Sequence, residues 1–187
     1  MTTRIFNIVM CLILGAILLI PGIIITLLVK LTSNGPALHW SKRIGKNNQP
    51  FLMPKFRSMK INTPQLATHL LSDNQSYLTP IGPFLRKSSL DEIPQILAII
   101  KGDMNFVGPR PALYNQDDLI EQRTLLNIHT LTPGITGWAQ INGRDELSIP
   151  DKVKLDKEYL DKRSFIFDMK ILARTVIQVL KRADVHH

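Results

Sequence analysis

The stretch IVMCLILGAILLIPGIII, Ile8–Ile25, is the longest apolar run in the chain, and no charge falls between Arg4 and Lys30. A run of this length is a membrane-segment signal. A cleaved signal peptide fits it poorly, because Thr26–Asn34 offers no small-x-small cleavage site. A core helix of a soluble protein is the plainer alternative. Pro21-Gly22 lies inside the run. Proline lacks the N–H and crowds the preceding turn, so a bend is expected there. As a helix, Ile8–Ile20 covers only about 20 Å, short of the ~30 Å hydrocarbon core. Both flanks are basic, with Arg4 on one side and Lys30, Lys42 and Arg43 on the other. That pattern puts both ends on the cytoplasmic side. The segment reads as a helix bent at Ile20-Pro21 that enters and leaves one leaflet, with a tilted spanning helix as the alternative.

Outward from this run, charge is distributed unevenly. The chain has 187 residues and a formal net charge of +8. No acidic residue precedes Asp73, so the whole excess lies in the first 72 residues, on Arg4, Lys30, Lys42, Arg43, Lys46, Lys55, Arg57 and Lys60. Such a block favours lipid headgroups, phosphates or nucleic acid. A hydrophobic content of 44% excludes intrinsic disorder. The single cysteine, Cys11, excludes a disulfide framework. The five histidines show no HxxxH or HExxH spacing, which argues against a zinc enzyme.

Asn34-Gly35-Pro36 marks a boundary, dividing the apolar segment, 1–33, from a second domain, 34–187. Ala37–Arg43 and Phe51–Met59 flank a turn-rich stretch and predict a β-hairpin. Ile61–Gln75 is polar and reads as helical in part. Ser89-Leu90-Asp91-Glu92 matches a capping box ahead of a helical run, Ile93–Ile100, that stops at Lys101-Gly102. Phe106–Pro111 reads as a rigid loop, Asp117–Ile128 as a helix, Gly134–Arg144 as a turn-rich loop and Asp151–Lys162 as a charged helix. Phe165–Arg182 is amphipathic. Its stripe of Phe165, Met169, Leu172, Val176 and Val179 or Leu180 suits the core or a membrane interface; Lys170, Arg174, Gln178 and Lys181 lie opposite. The fold class is α+β and mostly helical.

Asp91-Glu92 has two readings. Acids in a first helical turn complement the macrodipole. Alternatively, one carboxylate is a nucleophile and the other holds a divalent cation beside phosphates. Gly108-Pro109-Arg110-Pro111 fixes one guanidinium, suited to bidentate phosphate contact, between two prolines. Trp138, in the glycine-rich loop, is placed either in the core or against a base or sugar. That loop lacks GxGxxG and Walker A spacing, so neither a dinucleotide fold nor a P-loop is indicated.

Taken in order, KFRSM (Lys55–Met59), SLDEIPQ (Ser89–Gln95), KGDMNFVGPRP (Lys101–Pro111) and PGITGWAQINGR (Pro133–Arg144) resemble the bacterial sugar transferases, the monotopic polyprenyl-phosphate phosphoglycosyl transferases. The likeness covers nearly the whole chain and is nearest to the small members with one re-entrant helix. It implies transfer of a sugar-1-phosphate from a UDP-sugar to undecaprenyl phosphate, with UMP leaving. Asp91 would be the nucleophile, forming a phosphosugar–aspartyl intermediate. Glu92, with Asp91, would hold Mg²⁺. Lys55, Arg86, Arg110 and Arg144 would lie near phosphates, and Asp156 is a further candidate. The implied partners are UDP-sugar, undecaprenyl phosphate and membrane lipids, and no nucleic acid. The implied location is the cytoplasmic face of the bacterial inner membrane. An N-acetylated amino sugar is the donor expected; the final glycan and the oligomeric state stay open. Members of the family commonly bend the helix at Ser-Pro, where this chain has Ile20-Pro21. A non-catalytic, membrane-anchored binder of anionic lipid or nucleic acid would explain the charge and the apolar run, but would not require the Asp-Glu pair or GPRP.

Overall fold

The computed structural model describes residues 2–64, 76–143 and 147–184. The apolar run forms one helix, α1 (Thr2–Thr32), helical on both sides of Pro21. Its first turns are fastened to the rest of the protein. Arg4 donates from Nη1 to the Ile99 carbonyl at 2.5 Å and from Nη2 to that of Ile100. Asn7, 1% exposed, donates to Asn105 Oδ1 at 2.8 Å. The last turns are fastened too. Ile25 and Val29 are buried with Ala37, Phe56 and Leu85. Arg57 bonds the Ser33 carbonyl and hydroxyl, both at 2.9 Å, and the Pro36 carbonyl at 2.7 Å. Between these anchors Leu12, Ile17 and Ile20 stand exposed.

β1 (Leu38–Ile44) and β2 (Pro50–Phe56) form the expected hairpin, paired from Leu38↔Phe56 to Ile44↔Pro50. Asn47 and Asn48 turn it in the left-handed region, which asparagine tolerates. β4 (Ala112–Leu113) joins the other side of β1, giving the order β2-β1-β4. β2 is therefore an edge strand, and this accommodates Pro50 and Pro54. Against β2 packs the segment Leu90–Gln95, which links α2 (Gly82–Lys87) to α3 (Ile96–Lys101).

Several expectations are corrected. Leu90–Gln95 is a 3₁₀ helix, and no capping box forms: Ser89 is left-handed at φ 57° and its side chain makes no cap bond. The rigid loop and the glycine-rich loop contain a second sheet, β3 (Asn105–Val107) parallel to β5 (Gly134–Thr136). Glycines permit this close approach, since a Cβ on Gly134 would sit 2.2 Å from the Gly108 nitrogen. α4 (Asp117–Leu125) ends earlier than expected, before a 3₁₀ turn at Ile128–Thr130. α5 (Trp138–Ile141) is a single turn. Of the expected helical stretch Ile61–Gln75, residues 65–75 lie outside the described residues.

α6 (Ile149–Lys162) and α7 (Phe165–Asp184) close the domain. The buried face of α7 is not centred on the apolar stripe. Ile171 and Asp168 are buried, and Asp168 accepts from the Tyr159 hydroxyl at 2.7 Å. Gln178, from the supposed polar face, donates to the Ile141 carbonyl at 2.7 Å. Phe165, Ile166, Val176 and Ile177 are exposed. The main core joins Met53, Ile99, Met104, Ile128 and Ile171, with Cys11 from α1.

Candidate active site

Packing the 3₁₀ segment on β2 places Lys55 against the adjacent carboxylates. Its Nζ lies 2.9 Å from Glu92 Oε1 and 3.7 Å from Asp91 Oδ2. Arg110 reaches the same Glu92 oxygen from the other side at 2.8 Å. Asp91 is 8% exposed, and the Arg110 side chain is the most open of the four. Arg86, at the end of α2, donates from Nη1 to Met59 Sδ at 3.4 Å, and its charge lowers the proton affinity of Asp91. Arg144 lies outside the described residues.

The charges are unequal in effect. Burial pushes the Asp91 carboxyl above its usual 3.8, with Glu92 adding to this and Lys55, Arg86 and Arg110 opposing it. Burial acts on Glu92 in the same sense, but Arg110 and Lys55 outweigh it and hold that carboxyl far below 4.5. Burial draws the Lys55 ammonium below 10.5, against the pull of Glu92. Glu92 is thus a fixed anion tying two cations together. Asp91 is the more basic carboxylate.

Among the described residues no three His, Cys, Asp or Glu side chains cluster as a metal cage. Two adjacent carboxylates nevertheless suit Mg²⁺, which typically takes one or two and fills its remaining positions with water and phosphate oxygens. Asp91 and Glu92 are the residues that would hold it.

The GPRP loop is held carbonyl by carbonyl. Gly134 N donates to Pro109 O at 3.0 Å, Arg123 Nη1 to Arg110 O at 2.8 Å and Arg43 Nη1 to Pro111 O at 3.3 Å. Asp156 is not beside Asp91 and Glu92. It is 1% exposed on α6 and accepts from Arg123 Nε at 3.0 Å and Nη2 at 2.6 Å. Arg123 escaped the sequence reading because its partners lie far along the chain. His39 escaped it too, although the hairpin register sets it opposite Lys55. Its imidazole is held below 6.5 by burial, then by Lys55 and Arg43. Trp138 packs on Phe167 at 5.0 Å, with its Nε1 donating to Glu158 at 2.9 Å.

Residues 1–182 match the family model described as bacterial sugar transferase. The chain is 42% identical over 152 residues to the uncharacterized sugar transferase EpsL of Bacillus subtilis (strain 168), covering 81% of this chain and 74% of that one. It is 41% identical over 163 residues to the UDP-glucose:undecaprenyl-phosphate glucose-1-phosphate transferase of Escherichia coli (strain K12), covering 82% of this chain and 35% of the relative. Identity is 34% over 158 residues to the UDP-N-acetylgalactosamine-undecaprenyl-phosphate N-acetylgalactosaminephosphotransferase of Aeromonas hydrophila, covering 82% and 37%. The chain thus spans little more than a third of the two relatives with named reactions.

Proposed function

The chain belongs to the bacterial sugar transferase family, and from that premise we propose that it moves a sugar-1-phosphate from a UDP-sugar to undecaprenyl phosphate, releasing UMP. The observation that carries this reading is the convergence of Lys55 and Arg110 on Glu92, beside the more basic carboxylate of Asp91. A lipid-binding anchor has no need of that arrangement.

An Asp91 oxygen attacks the sugar-bearing phosphorus of the donor. The bond from that phosphorus to the bridging oxygen breaks, and UMP departs with the electron pair. The phosphosugar is left on Asp91 as an acyl phosphate. An oxygen of undecaprenyl phosphate then attacks the same phosphorus, and Asp91 leaves as carboxylate. Two mutually repelling phosphate substrates are thereby handled one at a time. Lys55 and Arg110 carry the positive charge that phosphoryl transfer needs, and Glu92 keeps both in place. Bound Mg²⁺ would offset the charge of the donor diphosphate.

α1 is long and apolar enough to cross a membrane. Re-entry is the reading that accommodates its anchors, because Arg4 and Asn7 at one end and Val29 and Ser33 at the other all attach to the same domain. A bend near Ile20-Pro21 would let the exposed middle dip into one leaflet, beside the exposed apolar residues of α7. The lipid phosphate stays at headgroup depth, and UDP-sugars are cytoplasmic. The domain therefore belongs on the cytoplasmic face of the inner membrane. An N-acetylated amino sugar is the donor of first choice, tested beside glucose and galactose. Mixing the protein with undecaprenyl phosphate, Mg²⁺ and each UDP-sugar should release UMP with at least one donor. Silence across the panel would sink the transferase reading.

A further inference from the structure

We infer that the buried Arg123–Asp156 pair is a positioning device for Arg110: Asp156 sets the Arg123 guanidinium, and Arg123 sets the Arg110 carbonyl and with it the direction of the Arg110 side chain. The inference rests on the transferase reading, in which Arg110 meets substrate phosphate.

Both partners are nearly inaccessible, Arg123 at 8% and Asp156 at 1%, so neither is placed to touch a substrate. The Arg123 fork is used in two directions. Nε and Nη2 close on one oxygen of Asp156, while Nη1 points to the Arg110 carbonyl at 2.8 Å. A planar guanidinium held at three of its N–H groups cannot rotate. Pro109 and Pro111 already fix their own φ angles and restrict the residues before them. What remains is the tilt of the peptide planes around Arg110, and that is what the carbonyl bond sets. The flanking carbonyls are held as well, by Gly134 and Arg43. From this base the Arg110 side chain reaches Glu92 at 2.8 Å. A buried ion pair is a poor route to stability, since well-packed apolar residues often serve as well. A fixed direction for a catalytic guanidinium is a task that apolar residues cannot perform. Asp156 thus serves the phosphates at two removes, and α4 and α6 are the elements that carry the pair.

The test uses the full-length protein and a donor from the panel that wild type accepts. UMP release is compared for wild type, Arg110→Lys, Arg123→Lys and the double variant. Lysine at 123 keeps a cation for Asp156 but loses the planar fork that holds Asp156 and the Arg110 carbonyl in fixed directions. Each single change should lower kcat/KM roughly ten- to hundredfold, as expected of a misaimed catalytic group. The double should be no worse than the poorer single, because both changes disable the same device. A companion swap, Arg123→Met with Asp156→Leu, removes both charges. It should melt within roughly 5 °C of wild type yet turn over as poorly as Arg123→Lys. Losses that multiply in the double, or wild-type turnover from the folded swap, overturn the inference and leave the transferase reading standing. If the swap does not fold, the four-protein comparison decides alone. Wild type that releases no UMP from any donor removes the transferase reading instead.

Discussion

Burial pushes Asp91 above 3.8, whereas Arg110 and Lys55 hold its neighbour Glu92 well below 4.5, and the two carboxylates should therefore respond in opposite ways. A depressed folded pKa contributes stability above the unfolded value, lost only as pH falls through the folded one. Glu92 accordingly stabilises the protein throughout the neutral range. Asp91, with its raised pKa, costs stability while ionised, and acid relieves that cost. Thermal unfolding at pH 7 should thus show Asp91→Asn at or above the wild-type melting temperature, and Glu92→Gln below it, with a stability loss of roughly 1–3 kcal/mol as two cations lose their shared anion. On the proposed covalent mechanism, turnover should collapse by orders of magnitude in Asp91→Asn, which removes the attacking oxygen anion. A folded Asp91→Asn enzyme with near-normal turnover would remove it from the chemistry. In the metal-free protein the Asp91 carboxyl should also titrate above 3.8 by NMR, and a value at or below that would contradict the burial argument.

The elements differ in how openly the sequence announced them. α1 is visible as a long uncharged run, and the hairpin as two alternating segments around a turn. β3 and β5 are three residues each, too short for periodicity to register, and are bracketed by the glycines and prolines that signal loops. Ser-x-x-Glu fits a capping box locally, yet Ser89 is left-handed at the start of the segment that packs on β2. This has a consequence opposite in sign to capping. Ser89→Gly should stabilise by about 0.5–1 kcal/mol, since glycine adopts positive φ freely; a cap would lose stability. Urea unfolding distinguishes the two, and a loss would restore the capping reading. On α7, polar Asp168 and Gln178 face bonded partners, while Phe165 and Val176 of the apolar stripe stay outside, the placement expected of an interfacial rather than a core stripe. For α1, the anchors at Arg4 and Asn7 place position 2 on the domain's side. Cys11 is 2% exposed, so a cysteine introduced at Thr2 gives a clean signal. It should resist impermeant thiol reagent added outside intact cells, and labelling there would establish a spanning helix.

Across the whole molecule, basic charge, an apolar helix and an acidic pair combine only when the chain folds. Lys55, Asp91 and Glu92, together with Arg110, were legible beforehand as motif residues, and the fold draws them within hydrogen-bonding and ion-pair reach. Arg123 and the true surroundings of Asp156 were not legible, because their pairing spans 33 positions and carries no local signature. The same holds for α1, whose two anchored ends could not be read from hydropathy. The architecture ties both ends of the apolar helix α1 to the domain that carries Asp91, and the proposed mechanism uses that arrangement to meet a soluble nucleotide-sugar and a lipid phosphate in turn. The covalent step is the centre of this account. Wild-type protein incubated with an accepted UDP-sugar and Mg²⁺, without lipid acceptor, is quenched rapidly and digested for mass spectrometry. The peptide containing Asp91 should gain the mass of one sugar phosphate and lose it on addition of undecaprenyl phosphate. Robust turnover with no adduct on that peptide would mean that the lipid phosphate attacks the donor directly, and the covalent mechanism would be wrong.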